Sequence, residues 1–405
     1  MRHIAGTLLA IALAASSAVA QPPAAPPAPA PDPTAQMATD PLNTSATYAF
    51  IMDGDGGIPL YSKRGDEPMI PASMSKLMLY YMTFERIKAG RLTMTDEFSV
   101  SEHAWRTGGA GTDGSTMFLP LNSKVSVQDL LKGAIIVSGN DACIVLAEGL
   151  FGSEEAYARA ATARAKELGM TGSTFANATG LDAPTHRMSA HDIATIAFRI
   201  IKDFPEYYPM FREPEFTFNN TRQYNRNPLL RELDGADGVK TGHLSVSGYG
   251  LVGSAIREGK RRIIVLNGLT SETERKKEGP RVMRSAFLDF TASTLVNKGA
   301  EVAVADVWLG EEKKVSLIAT ESYATGLHMD AVPKIKGNVT YKKPLLAPVK
   351  EGDIVGELVI SAPGTPDKKI PVAAGKSVNQ LGLLGKAMLG LRGEDEEEEP
   401  EGKKE

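Results

Sequence analysis

Apolar and polar residues alternate along this 405-residue chain in patterns that change several times, and each change predicts a different element. Residues 4–15 are an apolar run behind Arg2 and His3. Residues 48–52 predict a first strand. After Pro71-Ala72, the residues Met74, Leu77, Met78, Tyr81, Phe84 and Ile87 recur at helical spacing, with the proline near the first turn. Apolar stretches at 134–137 and 142–150 predict two helices. Ser138-Gly139-Asn140-Asp141 breaks them, with Asn140 or Asp141 as N-cap. Residues 239–243, 249–256 and 262–266 predict strands, the last two joined at Glu258-Gly259-Lys260, and a helix over 281–296 comes next. From 301 to 372 short apolar runs stand between Gly, Pro and Lys-rich turns, the pattern of a small all-β domain. Finally, Val378, Leu381, Leu384, Met388 and Leu391 can share a helical face, with Lys376, Lys386 and Arg392 beside it.

These patterns divide the chain. Residues 1–20 have a basic start, an apolar centre too short to span a bilayer and a small-residue end at Ala18-Val19-Ala20, so a secretory signal peptide is expected. Residues 21–42 form a Pro/Ala-rich linker, since 21–41 hold eight of the 25 prolines; a mixed α/β main domain is expected over 43–298 and the all-β domain over 299–374. Residues 375–405 combine the amphipathic stretch with an acidic tail. Three glycines (Gly382, Gly385, Gly390) and the lack of Trp or Phe weaken the membrane-surface reading of that stretch. Without 1–20 and 394–405 the charge is near balance, with no basic footprint for nucleic acid. The single cysteine, Cys143, excludes an internal disulfide and reads as a packing residue.

Candidate chemistry lies in three short segments. Ser73-Met74-Ser75-Lys76 puts a hydroxyl and an amine three apart on one helix face, near unpaired N–H groups that suit an oxyanion. Lys76 serves as a base only when neutral, which burial and a second cation such as Lys240 would favour. Ser138-Gly139-Asn140 offers a hydroxyl relay between the lysines and an amide for a substrate carbonyl. Lys240-Thr241-Gly242 opens a strand whose glycine suits a closely approaching backbone, such as a peptide laid along the edge, with Lys240 and Thr241 facing its carboxylate. Each segment alone has a plainer reading as a cap, a turn or a bulge. Together they make a kit for acyl transfer without histidine.

With spacings of 65 and 102 residues, the three segments resemble those of the serine penicillin-recognising enzymes. The flanks resemble the low-molecular-mass D-alanyl-D-alanine carboxypeptidases of the penicillin-binding protein 5 and 6 type. They are Pro71-Ala72-Ser73, Ser138-Gly139-Asn140-Asp141-Ala142-Cys143, Gly180-Leu181-Asp182-Ala183-Pro184, Phe216-Thr217-Phe218-Asn219, Asn225-Arg226-Asn227 and Lys240-Thr241-Gly242-His243 with Gly248-Tyr249. The resemblance covers about 46–390 and implies an α/β transpeptidase-type domain like that of β-lactamases, followed by a small all-β domain. It implies Ser73 as nucleophile, Lys76 as base, Ser138 and Asn140 completing the centre, and Lys240, Thr241 and Gly242 binding substrate. The backbone N–H groups of Ser73 and His243 would form the oxyanion hole, and Arg275 would meet the terminal carboxylate. The expected substrate is a peptidoglycan pentapeptide, with β-lactams as acylating inhibitors and no cofactor. Peripheral contact with the inner membrane through the C-terminus, on the periplasmic side, is a further expectation.

Several rivals share parts of this pattern. A class A-type β-lactamase needs Glu-x-x-Leu-Asn, which does not occur between 140 and 240. A zinc peptidase is disfavoured because the six histidines lack ligand spacing. A D,D-endopeptidase uses the same chemistry on crosslinks, and a catalytically silent wall-binding scaffold would keep the fold but lose a key side chain.

Overall fold

The computed structural model describes residues 40–385. The predicted signal peptide, nearly all of the linker, and Lys386, Met388, Leu391, Arg392 and the acidic tail lie outside them.

Strands β1 (Tyr48–Asp53), β2 (Pro59–Lys63), β7 (Ala236–Leu244), β8 (Gly248–Arg257) and β9 (Lys260–Leu269) form one antiparallel sheet in the order β2-β1-β9-β8-β7. Two small ribbons lie between β2 and β7 in sequence: β3 (Glu97–Ser99) with β4 (Lys124–Ser126), and β5 (Glu215–Phe218) with β6 (Thr221–Tyr224). The helices are α1 (Lys76–Lys88), α2 (Glu102–Gly108), α3 (Val127–Lys132), α4 (Asn140–Phe151), α5 (Glu154–Glu167), α6 (Ala190–Asp203), α7 (Leu229–Glu232) and α8 (Glu272–Leu288).

Both faces of the main sheet are apolar, because strand side chains alternate sides and every second residue finds a different partner layer. Phe50, Met52, Val252, Ile263 and Val265 join the core built by α1, α4 and α6. Ile51, Leu251, Ile264 and Leu266 face the opposite way, onto Val282, Met283 and Ala286 of α8. The sheet is thus sandwiched between helices, and its edge strand β7 runs beside the turn that starts α1.

The second domain is all-β. Strands β10 (Phe290–Val296) and β13 (Tyr323–His328) pair. Strands β11 (Glu301–Trp308), β12 (Lys314–Ala319), β14 (Lys336–Tyr341), β15 (Leu345–Leu346), β16 (Ile354–Ala362) and β17 (Thr365–Ala374) form a sheet in the order β14-β16-β17-β12-β11-β15. Its core includes Val315, Leu317, Ile370 and Val372.

Four expectations are corrected. The helix expected over 281–296 is α8, capped by Ser271, whose hydroxyl accepts the Glu274 N–H, and it ends at Leu288. Its charged first half lacks apolar periodicity, which hid the true start; Pro280 lies inside the helix, and Phe290–Val296, with two threonines, is a strand. The second domain therefore begins near residue 290 rather than 299. Leu42 is buried, so the ordered domain begins before the expected end of the linker. Val378 does not start a helix: it pairs with Val349 and is buried in the β-domain core, while Leu381 N–H donates to Leu309 O. Helical geometry appears only from residue 383, where Leu383 and Leu384 are exposed.

Candidate active site

The chain before α1 turns sharply. Ala72 adopts a positive φ of 48°, costly for a residue with a Cβ, and residues Ala72–Ser75 make a 3₁₀ turn that presents Ser73 to a cleft. Lys76, the next residue after that turn, is fully buried.

Ser138 owes its position to a second strained element. Residues Gly133–Val137 wind as a π-helical turn, closed by Gly139 N–H to Gly133 O at 3.0 Å, and Ser138 leaves it in the left-handed region at φ 66°. Such turns recur at functional sites because the extra residue re-aims the side chains after it. Here both the Ser138 carbonyl and its hydroxyl reach Lys76 Nζ, at 2.7 and 3.2 Å, and Asn140 Oδ1 accepts from the same amine at 2.6 Å. Three acceptors match the three donors of an ammonium. Neither Asn140 nor Asp141 caps α4. Gly139 occupies that position without a side-chain bond, which leaves both side chains free for other partners.

From the opposite wall, Lys240 on β7 donates to Ser138 Oγ at 2.8 Å and to Thr241 O at 3.1 Å. Burial pushes Lys76 below the ordinary lysine range; Arg226 adds to this, while Cys143 and Asp141 oppose it. Burial pushes Lys240 well down, helped by the charges of Lys76 and Arg226. Two amines this close in a dry site disfavour double protonation.

Gly242 was expected to admit a substrate backbone. A Cβ there would lie 3.1 Å from Pro71 O and 3.2 Å from Ala72 Cβ, so the glycine first allows β7 to lie against the nucleophile turn. His243 stacks on Tyr249, with centroids 3.9 Å apart, and the Arg275 guanidinium lies 5.4 Å from the Tyr249 ring. Arg275, near the start of α8, is buried, contacts Gly242 O at 3.4 Å and has an Nε without a partner.

These elements enclose a cleft of about 840 Å³ lined by Ser73, Ser138, Asn140, Thr241, Gly242, His243 and Arg275. Lys76 and Lys240 lie beneath it. Ser73 Oγ makes no hydrogen bond among the described residues, and Lys76 Nζ is engaged by Ser138 and Asn140 instead. Ser73 and Lys76, the expected nucleophile and base, are close in sequence but not joined here, a common state of unliganded sites.

The cleft also has walls that the three segments did not reveal. Arg226 lines it and donates to Ser115 Oγ at 2.7 Å. Residues 112–115, Thr179, Gly180 and Leu181 complete the walls. The glycine-rich stretch Thr107–Gly114 begins as the end of α2 and then borders the cleft. Gly180, at φ +82°, lies against Ala72 O, where a side chain would collide. A sequence signal existed for Arg226 and Gly180, since both lie in the flanking stretches that carried the resemblance.

Comparisons with known proteins agree with this geometry. The family model described as D-alanyl-D-alanine carboxypeptidase (peptidase S11) matches residues 34–270, and the penicillin-binding protein 5 C-terminal domain matches 290–380. The D-alanyl-D-alanine carboxypeptidase DacC of Escherichia coli is 35% identical over 355 residues, 87% of this chain and 89% of that protein. Among solved structures, the D-alanyl-D-alanine carboxypeptidase DacD of Francisella tularensis has a TM-score of 0.72 at 30% identity, covering 83% of this chain and 94% of that one. Penicillin-binding protein D2 of Listeria monocytogenes, solved with ampicillin bound, has a TM-score of 0.52 at 27% identity, covering 60% and 98%.

Proposed function

The chain belongs to the serine D-alanyl-D-alanine carboxypeptidase family of penicillin-binding protein 5/6 type, and from that premise we propose how its residues divide the work. The enzyme removes the terminal D-alanine of a peptidoglycan stem peptide through an acyl-enzyme, and β-lactams acylate the same serine. One observation carries the assignment of roles: a single hydroxyl, Ser138 Oγ, lies within hydrogen-bond reach of both buried lysine amines, beside a cleft that exposes Ser73.

The peptide lies along β7 with its terminal carboxylate toward Thr241, Lys240 and Arg275. An arriving carboxylate favours the charged form of Lys240, and repulsion then holds Lys76 neutral. Neutral Lys76 takes the Ser73 hydroxyl proton as Oγ attacks the penultimate D-alanine carbonyl. The resulting oxyanion is met by the backbone N–H groups of Ser73 and His243. The proton passes from Lys76 by way of Ser138 to the departing amine, and D-alanine leaves. Water then attacks the acyl ester, with the same relay taking its proton and returning one to Ser73. Asn140 orients the acyl carbonyl.

The test is D-alanine release from a peptide ending in D-Ala-D-Ala, run beside a crosslinked dimer. Release from the monomer at a much higher kcat/KM supports the carboxypeptidase. Preference for the dimer makes the chain an endopeptidase.

Export to the periplasm rests on the sequence pattern of residues 1–20. Contact with the inner-membrane surface is proposed as weak and salt-sensitive, and it belongs to residues after 382. Among the described residues no helix is long and apolar enough to cross a membrane.

A further inference from the structure

Asp141 comes directly after the Ser-Gly-Asn segment and has no part in the chemistry just described, yet it is fully buried at the centre's edge. Four donors converge on its carboxylate. Oδ1 accepts the N–H groups of Met117 at 3.0 Å and Ala142 at 2.9 Å; Oδ2 accepts the Thr116 hydroxyl at 2.7 Å and the Leu119 N–H at 3.1 Å. It sits in the first turn of α4, where the helix dipole favours an anion. Two glycines make room for it. A Cβ on Gly139 would stand 2.8 Å from Oδ1, and one on Gly108 would collide with the Asp141 backbone.

Three of those donors belong to the stretch 116–119, which lies directly after the cleft wall. One residue earlier, Ser115 O accepts the Asn140 N–H at 2.7 Å and Ser115 Oγ holds Arg226. On the other side, Asn140 Oδ1 receives Lys76. A single carboxylate thus links the wall with Arg226 to the helix start with Asn140 and Lys76.

We propose that Asp141 is a positioning residue for acyl transfer, which clasps the 116–119 stretch to the start of α4 and so holds Asn140, and through it Lys76, in place. The charged and titratable groups around Lys76 are Asp141 and Cys143 from α4, Lys240 from β7 and Arg226 from the loop before α7. Of these, Asp141 is the carboxylate, and it supports the protonated form of Lys76 against burial. Removing its charge must push Lys76 lower still. The role rests on the reading of Lys76 as base, whose activity rises with pH as the amine loses its proton.

The experiment compares kcat/KM for D-alanine release against pH in the wild type, Asp141→Asn, Asp141→Glu and Thr116→Val, with melting curves for each. Asp141→Asn should lose about tenfold or more in kcat/KM, because a buried amide cannot accept four donors. Its acid limb should also move to lower pH. Thr116→Val keeps the charge and three of the four bonds, so its rate should fall less and its limb should stay. Asp141→Glu keeps the charge on a longer arm; should Asp141→Asn not fold, this variant must show a lowered rate with an unmoved limb. An unmoved limb in folded Asp141→Asn, or a shifted limb in Asp141→Glu, overturns the proposal. A wild type with no acid limb at all would instead overturn the reading of Lys76.

Discussion

Lys76 and Lys240, 164 positions apart in the chain, aim their amines at the same hydroxyl: Ser138 Oγ lies 3.2 Å from one Nζ and 2.8 Å from the other. A hydroxyl donates one proton and accepts through two lone pairs, so it can pass a proton between them. The lysines nonetheless differ in surroundings. Lys76 is enclosed by Ser138 and Asn140, whereas Lys240 lies on β7, whose next residues line the cleft.

Their substitutions should therefore fail differently. Lys76→Arg keeps the charge but supplies no base, since guanidinium does not deprotonate, and D-alanine release should fall nearly to background. Lys240→Arg keeps the cation and should retain measurable turnover with a raised KM. Steady-state kinetics on both variants checks this, and equal losses would mean that the roles are shared. In the wild type, burial lowers Lys76, so kcat/KM should rise with pH through a limb below the ordinary lysine range.

The glycine-rich border of the cleft gives a sharper test than its composition suggested. A methyl group on Gly111 meets open space, whereas one on Gly114 collides with Asn140 Nδ2. Gly111→Ala should leave penicillin acylation and hydrolysis near wild type. Gly114→Ala should slow hydrolysis of the acyl-enzyme more than its formation, by roughly 10- to 100-fold for displacement of a positioned group. Separate acylation and deacylation rates decide it.

His186 sets an acid limit on stability. It is 1% exposed, its Nδ1 accepts the Ala176 N–H at 3.1 Å and its Nε2 has no partner. Burial, then Arg187, pushes the imidazole down to about 4 from 6.5. The folded chain thus holds it neutral where the unfolded chain binds a proton. Stability present above pH 6.5 is lost as pH falls toward 4, by roughly 3 kcal/mol in all. Melting temperatures between pH 7 and 4 should fall less steeply in His186→Gln. Parallel curves would assign the acid sensitivity elsewhere.

The C-terminal contact is best tested by removing residues 386–405. A cut at 376 would also take Val378 out of the β-domain core and so mix loss of packing with loss of contact. The full chain should co-sediment weakly with anionic vesicles at low salt and less at high salt, and the shortened chain should not. Equal recovery in the supernatant would remove the membrane contact and leave the catalytic account untouched.

How far the sequence could be read depended on how local each cause was. Ser73 and Lys76 lie within one turn, and Ser138 and Asn140 within three residues, so spacing alone brought out the chemistry. The partnership of Ser138 with both lysines needed the π-helical turn at Gly133–Val137, which an apolar run does not announce. The stretch holding Arg226 carried the resemblance, but its place in the cleft wall beside 112–115 did not show, because that placement comes from distant contacts: Arg226 with Ser115, Ser115 with Asn140 and the 116–119 stretch with Asp141. Apolar spacing also misled at Val378, where a residue that fits a helical face is pinned instead by a β-bridge to Val349.

Intact-protein mass spectrometry after benzylpenicillin, on the wild type and on Ser73→Ala, tests the central claim most directly. The wild type should gain one penicilloyl group, mapped to the peptide containing Ser73, and Ser73→Ala should gain none while melting like the wild type. A penicilloyl group on Ser75 or Ser138 in that variant, or no adduct on the folded wild type, would contradict the account.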